Sequence, residues 1–226
     1  MDLEALGLSV RLASLTTLAL LVLGLPLAYA LAFGRFRGRF LVEAAVALPL
    51  VLPPTVLGFY LLVALGPRSP LGRFWGTLTG GGTLAFSFWG LLVASVLYSL
   101  PFAVQPVAAA FSAVDRRLVE ASWCLGVSRR ATFFRVVLPL SVRGVLAGAA
   151  LAFAHTLGEF GVVLMVGGNL PGRTRTASIA VYDAVQALEY AEAARTSAAL
   201  LVLSFALLAL VYGLLRPKAG SPWPAS

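Results

Sequence analysis

Five long apolar runs dominate this sequence and restrict the folds open to it. Each run holds about 20 or more mostly uncharged residues, enough to cross roughly 30 Å of hydrocarbon as a helix. Backbone polar groups in lipid must bond within their own segment, so these runs are predicted to be α-helices. We therefore predict an all-α membrane protein, one domain over residues 1–226. Its five transmembrane helices are predicted at 12–33, 40–65, 84–111, 144–166 and 196–215.

Composition argues against a soluble domain. The chain is 60% hydrophobic and 12% charged, with a mean hydropathy of +0.93, which leaves too little polar material for a water-facing surface. The first run follows an acidic start rather than a basic one, unlike a signal peptide. A single cysteine, Cys124, allows neither an intrachain disulfide nor a cysteine-rich metal site. With one histidine and few carboxylates, we predict no metal site and no catalytic residues.

Basic residues are concentrated on one side of the predicted spans. The net charge is +8, and eleven of the 17 basic residues follow the first, third and fifth spans. They are Arg35, Arg37, Arg39, Arg116, Arg117, Arg129, Arg130, Arg135, Arg143, Arg216 and Lys218. The positive-inside rule then predicts an N-terminus outside the cell and a C-terminus in the cytoplasm. The charge therefore indicates topology, and we expect a lipid bilayer, not nucleic acid, around this chain.

Prolines and small residues interrupt or thin the predicted spans. Pro49, Pro53 and Pro54 fall within six residues of the second span and should kink or break its helix. Gly144 and Gly148 form a Gly-x-x-x-Gly pair that lets two helices approach closely. The stretch 177–194 is predicted to be a helix at, or dipping into, the outer interface, with Ile179, Tyr182, Val185 and Tyr190 toward one side.

The best-patterned polar segment is a loop, residues 113–141, between the third and fourth spans. It is predicted to form two short amphipathic helices with a break at Gly126 and a stop at Pro139. Seven of its residues stand at characteristic spacings: Glu120, Ala121, Ser122, Gly126, Val136, Leu138 and Pro139. This pattern resembles the EAA motif of ATP-binding-cassette importer permeases, with Ser122 in place of the second alanine. The resemblance implies a type I permease fold, with these residues coupling the chain to a separate ATPase.

The same resemblance implies the partners. We expect a homodimer with two cytoplasmic ATP-binding subunits and an extracytoplasmic oxyanion-binding protein, as a multi-pass protein of a prokaryotic inner membrane. A P-loop needs a lysine, and Lys218 in the tail is the only one. This chain is therefore expected to be a transport subunit without an ATPase site or bound cofactor, while ATP and Mg²⁺ bind to the partner.

Four further segments resemble the oxyanion permeases: 25–32, 48–58, 157–161 and 168–176. The segment 176–183, Thr-Ala-Ser-Ile-Ala-Val-Tyr-Asp, is most similar to the molybdate subgroup. Molybdate is thus the expected cargo. A sulfate, thiosulfate or tungstate permease remains the alternative within the class, and an ATP-independent channel is the alternative from another class.

Candidate gate or pathway residues lie in the second, third and fourth spans. They are Pro53, Pro54, Thr55, Ser99, His155, Thr156 and Glu159. Hydroxyl groups and freed amides could donate hydrogen bonds to a passing oxyanion. His155 and Glu159 would form an i, i+4 pair on one helical face. Because a bare carboxylate repels an anion, we expect Glu159 to be paired or turned from the path. Glu159→Gln should then impair assembly or gating without changing ion choice.

Overall fold

The computed structural model describes residues 2–215, and every regular element in that part of the chain is helical, as predicted. The first five helices are α1 (Leu3–Phe33), α2 (Arg39–Val51), α3 (Pro54–Leu65), α4 (Pro70–Thr79) and α5 (Phe88–Ser112). Next come α6 (Arg116–Cys124), α7 (Arg129–Thr132), a π-helical turn (Phe133–Val137) and α8 (Leu138–Leu140). The last four are α9 (Val142–Gly158), α10 (Gly161–Gly167), α11 (Ala177–Gln186) and α12 (Tyr190–Leu215).

Helices α1, α5 and α9 pack together as the centre of the bundle. At 31 residues, α1 is about 46 Å long and exceeds the hydrocarbon thickness. It runs parallel to α5, because ring and guanidinium contacts join the same ends of both. Near their starts the Arg11 guanidinium lies 4.6 Å from the Phe88 ring centroid. Near their ends the Tyr29 and Phe111 ring centroids are 6.5 Å apart.

The second predicted span is broken where its prolines cluster. α2 and α3 meet at an angle of 113° across Leu52 and Pro53, whose extended backbones separate the two helices. α3 then packs closely on α10: a Cβ added at Gly58 would lie 2.8 Å from Met165 Cβ. Loss of backbone donors at the prolines explains why the break occurs here.

The fourth predicted span is interrupted as well. A single helix over 144–166 was expected, but α9 ends at Gly158 and α10 begins at Gly161. Between them Glu159 is extended, at φ −66° and ψ 135°. The predicted close packing is present earlier in the helix, since a Cβ on Gly148 would lie 2.9 Å from the Ala103 carbonyl oxygen of α5.

Loops gather at two ends of the bundle. At one end the Phe86 N–H donates to the Val166 carbonyl (2.9 Å) and the Ala85 N–H to the Leu65 carbonyl (3.3 Å). At the other end, the basic end, Gly34 and Arg35 lie beside α6 and the start of α7. Within residues 2–215, α1, α5 and α12 can each cross a bilayer alone, and bent helix pairs raise the possible spans to five. The count of five and the orientation stay predictions, and Arg216 and Lys218 lie outside the described residues.

The stretch 177–194 forms two helices, not one. α11 ends at Gln186, Leu188 adopts a positive φ of 61°, and α12 begins at Tyr190. Ile179 is fully buried against α1, α5 and α10, whereas Tyr182 and Tyr190 are exposed. Ile179, Tyr182 and Val185 all belong to α11, so the expected common face is wrong only for Tyr190, which lies beyond the turn.

Candidate functional site

Residues 116–140, here called the basic hairpin, form a helix, a tight turn and a second helix. The turn has the two hydrogen bonds of a Schellman motif: Gly126 N–H to the Trp123 carbonyl (2.9 Å) and Val127 N–H to the Ser122 carbonyl (3.1 Å). Gly126 has a φ of +76°, the left-handed conformation expected of it. A Cβ added there would meet no atom within 4 Å beyond its chain neighbours, so backbone strain alone favours glycine inside this chain.

The second helix of the basic hairpin continues past Pro139, where the sequence predicted its end. α7, the π-helical turn and α8 run on to Leu140, and the chain then bends by 76° into α9 at Ser141. Leu138 N–H donates to the Phe133 carbonyl, five residues earlier. This wider turn accommodates Pro139, which lacks an N–H, in the first turn of α8.

A buried hydroxyl pair joins the two helices of the basic hairpin. Ser122 Oγ and Thr132 Oγ1 are 2.9 Å apart, and both residues are buried. The serine that departs from the EAA pattern thus gains a hydrogen bond that alanine could not make. Nearby, the Arg129 guanidinium lies 5.5 Å from the Trp123 ring, a second contact between the helices.

The predicted coupling residues divide between an exposed surface and a packed support. Glu120, Ala121, Gly126 and Pro139 are exposed, Ser122 is buried, and Val136 and Leu138 are half-buried. Leu125, beside Gly126, is 83% exposed. The exposed Leu125 side chain, beside small residues and the Glu120 carboxylate, makes a surface suited to contact with another protein. Their part in coupling stays a prediction.

Three aromatic rings fix the basic hairpin to the bundle. The Phe133 centroid lies 5.3 Å from that of Tyr29 on α1 and 5.7 Å from that of Phe111 on α5, both edge-on. Val119 and Val137 are buried in the same apolar cluster. Edge-to-face aromatic pairs add about 0.5–1.5 kcal/mol each beyond area burial. The basic hairpin is therefore packed directly against α1 and α5.

Two serines on α5 hold the polar residues of the fourth span. Ser99 Oγ is 2.9 Å from His155 Nδ1 and 2.8 Å from Thr156 Oγ1. One turn earlier, Ser95 Oγ donates to Glu159 Oε2 at 3.0 Å. The expected His155–Glu159 pairing along one helical face is wrong, because α9 ends at Gly158. These five residues, of which His155 is half-buried and the other four are buried, form what we call the buried polar cluster.

Glu159 lies at the junction of α5, α9, α10 and α11. The residue is 5% exposed, and the Ser178 hydroxyl of α11 donates to its backbone carbonyl. Its Oε1 is buried and has no hydrogen-bond partner within residues 2–215. The side chain is thus turned into the protein and held by a serine, as expected from its charge. It can fix the break between α9 and α10, but this conformation does not expose it to a passing ion.

The two helix breaks adjoin each other. A Cβ added to Gly161 would lie 2.8 Å from Pro54 Cβ, so the start of α10 packs directly on the start of α3. Pro53, Pro54 and Thr55 are exposed, unlike the buried polar cluster. The seven candidate pathway residues therefore form an exposed set and a buried set on either side of this contact. Within residues 2–215, no three His, Cys, Asp or Glu side chains could hold a metal ion together.

Comparison with known proteins identifies the family. The family model for binding-protein-dependent transport system inner membrane components matches residues 21–217. The chain belongs to this family. The protein is therefore a membrane component of a transport system. Its several long apolar helices agree with a multi-pass membrane protein.

Relatives within the transport-component family cover most of this chain. The molybdenum transport system permease protein ModB of Azotobacter vinelandii is 52% identical over 97% of this chain and 96% of its own length. ModB of Escherichia coli K12 is 39% identical over 81% and 80%. A probable sulfate transport system permease of Prototheca wickerhamii is 30% identical over 92% and 80%.

Solved structures share the fold of this family member. A bacterial ABC transporter that imports alginate aligns with a TM-score of 0.77 at 16% identity, over 96% of this chain and 80% of that one. An inward-facing methionine ABC transporter aligns with a TM-score of 0.70 at 17% identity, over 95% and 94%. The expected type I importer permease fold is thereby confirmed.

Sequence reasoning missed several residues that build the site. Ser95 stands one helical turn before Ser99, a spacing that could have indicated a second hydroxyl facing the fourth span. Phe133 and Thr132 lie between the seven EAA-motif positions and belong to none of them. Their packing depends on contacts with α1, α5 and α6, which cannot be predicted from the neighbouring sequence.

Proposed function

We propose that this chain is the permease subunit of a binding-protein-dependent, ATP-driven importer that carries molybdate across the cytoplasmic membrane. The observation that carries this proposal is the 52% identity to a molybdenum transport permease over nearly the full length of both chains. The segment 176–183, on which the molybdate assignment first rested, forms the start of α11 and contacts Glu159 through Ser178.

Two copies of the chain would enclose the transport pathway. One copy has at most five candidate spans within the described residues, and it leaves Pro53, Pro54 and Thr55 uncovered at the break between α2 and α3. The same helices expose large apolar side chains, among them Val51 at 80% and Tyr60 at 63%. A second copy facing this break would place the exposed Thr55 hydroxyls on both sides of a central path, where they could donate to an oxyanion.

The basic hairpin would be the contact for a separate ATPase. Its exposed residues Glu120, Ala121 and Gly126 form a thin surface suited to a groove on that partner, and within residues 2–215 the Glu120 carboxylate has no ion-pair partner. Phe133 would pass the motion of the ATPase to α1 and α5 through the aromatic contacts. With its only lysine in the tail, the chain offers no P-loop, so ATP and Mg²⁺ would bind to two ATPase subunits.

Ion selection would rest mainly with an extracytoplasmic binding protein. A tight anion cage inside the permease would slow release, and the buried polar cluster holds its hydroxyls against His155 and Glu159 rather than presenting them to a path. The cytoplasm would lie at the basic end, since Arg35, Arg37 and the arginines of the basic hairpin gather there.

Uptake of radiolabelled molybdate into proteoliposomes tests the proposal. The vesicles contain the permease, its ATPase and its binding protein, with sulfate and tungstate as competitors. We expect uptake that needs ATP and the binding protein and that excess sulfate barely reduces. Sulfate transport with little molybdate uptake would favour the alternative suggested by the 30% identical relative. Uptake without ATP or ATPase would instead favour a channel.

A further inference from the structure

An apolar groove of about 810 Å³ runs along the outside of α1 at the basic end. One wall is the face of α1 that carries Val22 and Leu25, and the other is the π-helical turn with Phe133 and Phe134. Val22 is 71% exposed and Phe134 is 64% exposed, so this apolar surface is open in the single chain. Phe133 also makes the aromatic contacts described above, but no role proposed above places a molecule in this groove.

Two arginines stand over the groove. Arg129 and Arg130 line it at the start of α7, and both are exposed. Among residues 2–215 neither guanidinium lies within ion-pair distance of a carboxylate. Arg129 lies over the Trp123 ring face, and within residues 2–215 its guanidinium has no ion-pair partner. An apolar channel thus ends at two unneutralised positive charges.

From its place along α1, the groove would lie at the depth of one membrane leaflet. α1 is about 46 Å long, and Val22 and Leu25 belong to its second half, before Phe33 and the basic residues that follow it. The apolar walls would therefore meet acyl chains, while Arg129 and Arg130 would stand at headgroup level. In the orientation proposed above, this is the cytoplasmic leaflet, which is the anionic one.

We propose that this groove binds an anionic phospholipid, with its phosphate on Arg129 and Arg130 and an acyl chain along Val22 and Leu25. Charge decides against the rival occupants. Residues 216–226 carry Arg216 and Lys218 and no acidic side chain, so they would repel the same arginines. A second copy docked through this groove would bring two basic rims together. Basic pockets beside transmembrane helices on the cytoplasmic side are a known setting for anionic headgroups.

Native mass spectrometry of the purified permease, alone and with its ATPase subunits, tests the site. Phosphatidylglycerol and phosphatidylcholine are titrated separately. We expect preferential retention of phosphatidylglycerol, reduced about 25-fold in the Arg129→Gln/Arg130→Gln double variant, at about fivefold for each arginine that contacts the headgroup. Arg135→Gln, in the same helical run but outside the groove, removes equal charge per residue and should leave retention unchanged.

A second variant tests the acyl-chain wall. Val22→Trp fills the groove from an exposed position without altering charge, so it should lower retention of both lipids while the chain still folds. Equal retention of the two lipids, or unchanged retention in either groove variant, would overturn the proposal. Loss of the lipid when the ATPase subunits bind would overturn it too, because a protein would then cover the groove. None of these readouts depends on which ion is transported.

Discussion

Replacing Gly126 separates strain within the chain from docking of the ATPase. The left-handed φ of +76° costs an L-residue about 1–2 kcal/mol, and no neighbour lies within 4 Å of an added Cβ. Gly126→Ala and Gly126→Trp should therefore destabilise the permease by the same about 1–2 kcal/mol. Only the tryptophan should also obstruct a partner's groove, weakening ATPase binding by more than about tenfold, or about 1.4 kcal/mol.

The assay pairs unfolding of the detergent-solubilised permease with titration of its ATPase subunit. Gly38→Ala is the matched control, because Gly38 has a φ of +84° and a Cβ there would touch only Leu41, at 3.9 Å. It should carry the same strain and leave ATPase binding intact. If Gly126→Trp bound the ATPase normally, the basic hairpin would not be the docking element. If Gly126→Ala and Gly126→Trp lost binding equally, backbone geometry rather than bulk would be responsible.

Three other substitutions test the packed parts of the site. Phe133→Ala should lower the free energy of unfolding by about 3 kcal/mol, because the contacts with Tyr29 and Phe111 are lost. The ATPase should still bind, but more ATP should be hydrolysed for each ion imported; an unchanged ratio would contradict this. Gly161→Ala should cost about 1–3 kcal/mol in thermal unfolding through its clash with Pro54, whereas Gly158→Ala meets nothing within 4 Å and serves as the control. Ser95→Ala should lower the free energy of unfolding by about 1–3 kcal/mol, because it removes the hydroxyl that donates to Glu159. Neither Ser95→Ala nor Glu159→Gln should change the ion preference measured by competition in uptake assays. A changed preference would refute the buried placement of Glu159.

Structural features that depend on local chemistry could be predicted from the sequence. Apolar runs predicted the helices, the proline cluster predicted the break before Pro54, and the helix end at Gly126 followed from glycine's access to positive φ. Each of these outcomes is decided within a few residues of the chain.

Structural features that depend on contacts between distant residues could not be predicted from the sequence. The end of α9 at Gly158 has no proline to announce it, and it is fixed by Ser95 on α5 and Ser178 on α11. The helix ends one residue beyond Pro139, after a π-helical turn in which Phe133 packs on Tyr29. The pairing of His155 with Ser99 instead of Glu159 follows from that early helix end. Tertiary contacts overrode local periodicity in all three cases.

The contact between Pro54 and Gly161 also has a consequence for biogenesis. α2 and α3 are short, of 13 and 12 residues, and the partner on which α3 packs is synthesised roughly a hundred residues later. At a synthesis rate of about 5–20 residues per second, α10 is made about 5–20 s after α3. During that interval α3 lacks the helix against which Gly58 and Pro54 pack in the finished protein. Membrane insertion factors that shelter such segments should therefore contact residues 49–65 transiently and release them once α10 is made.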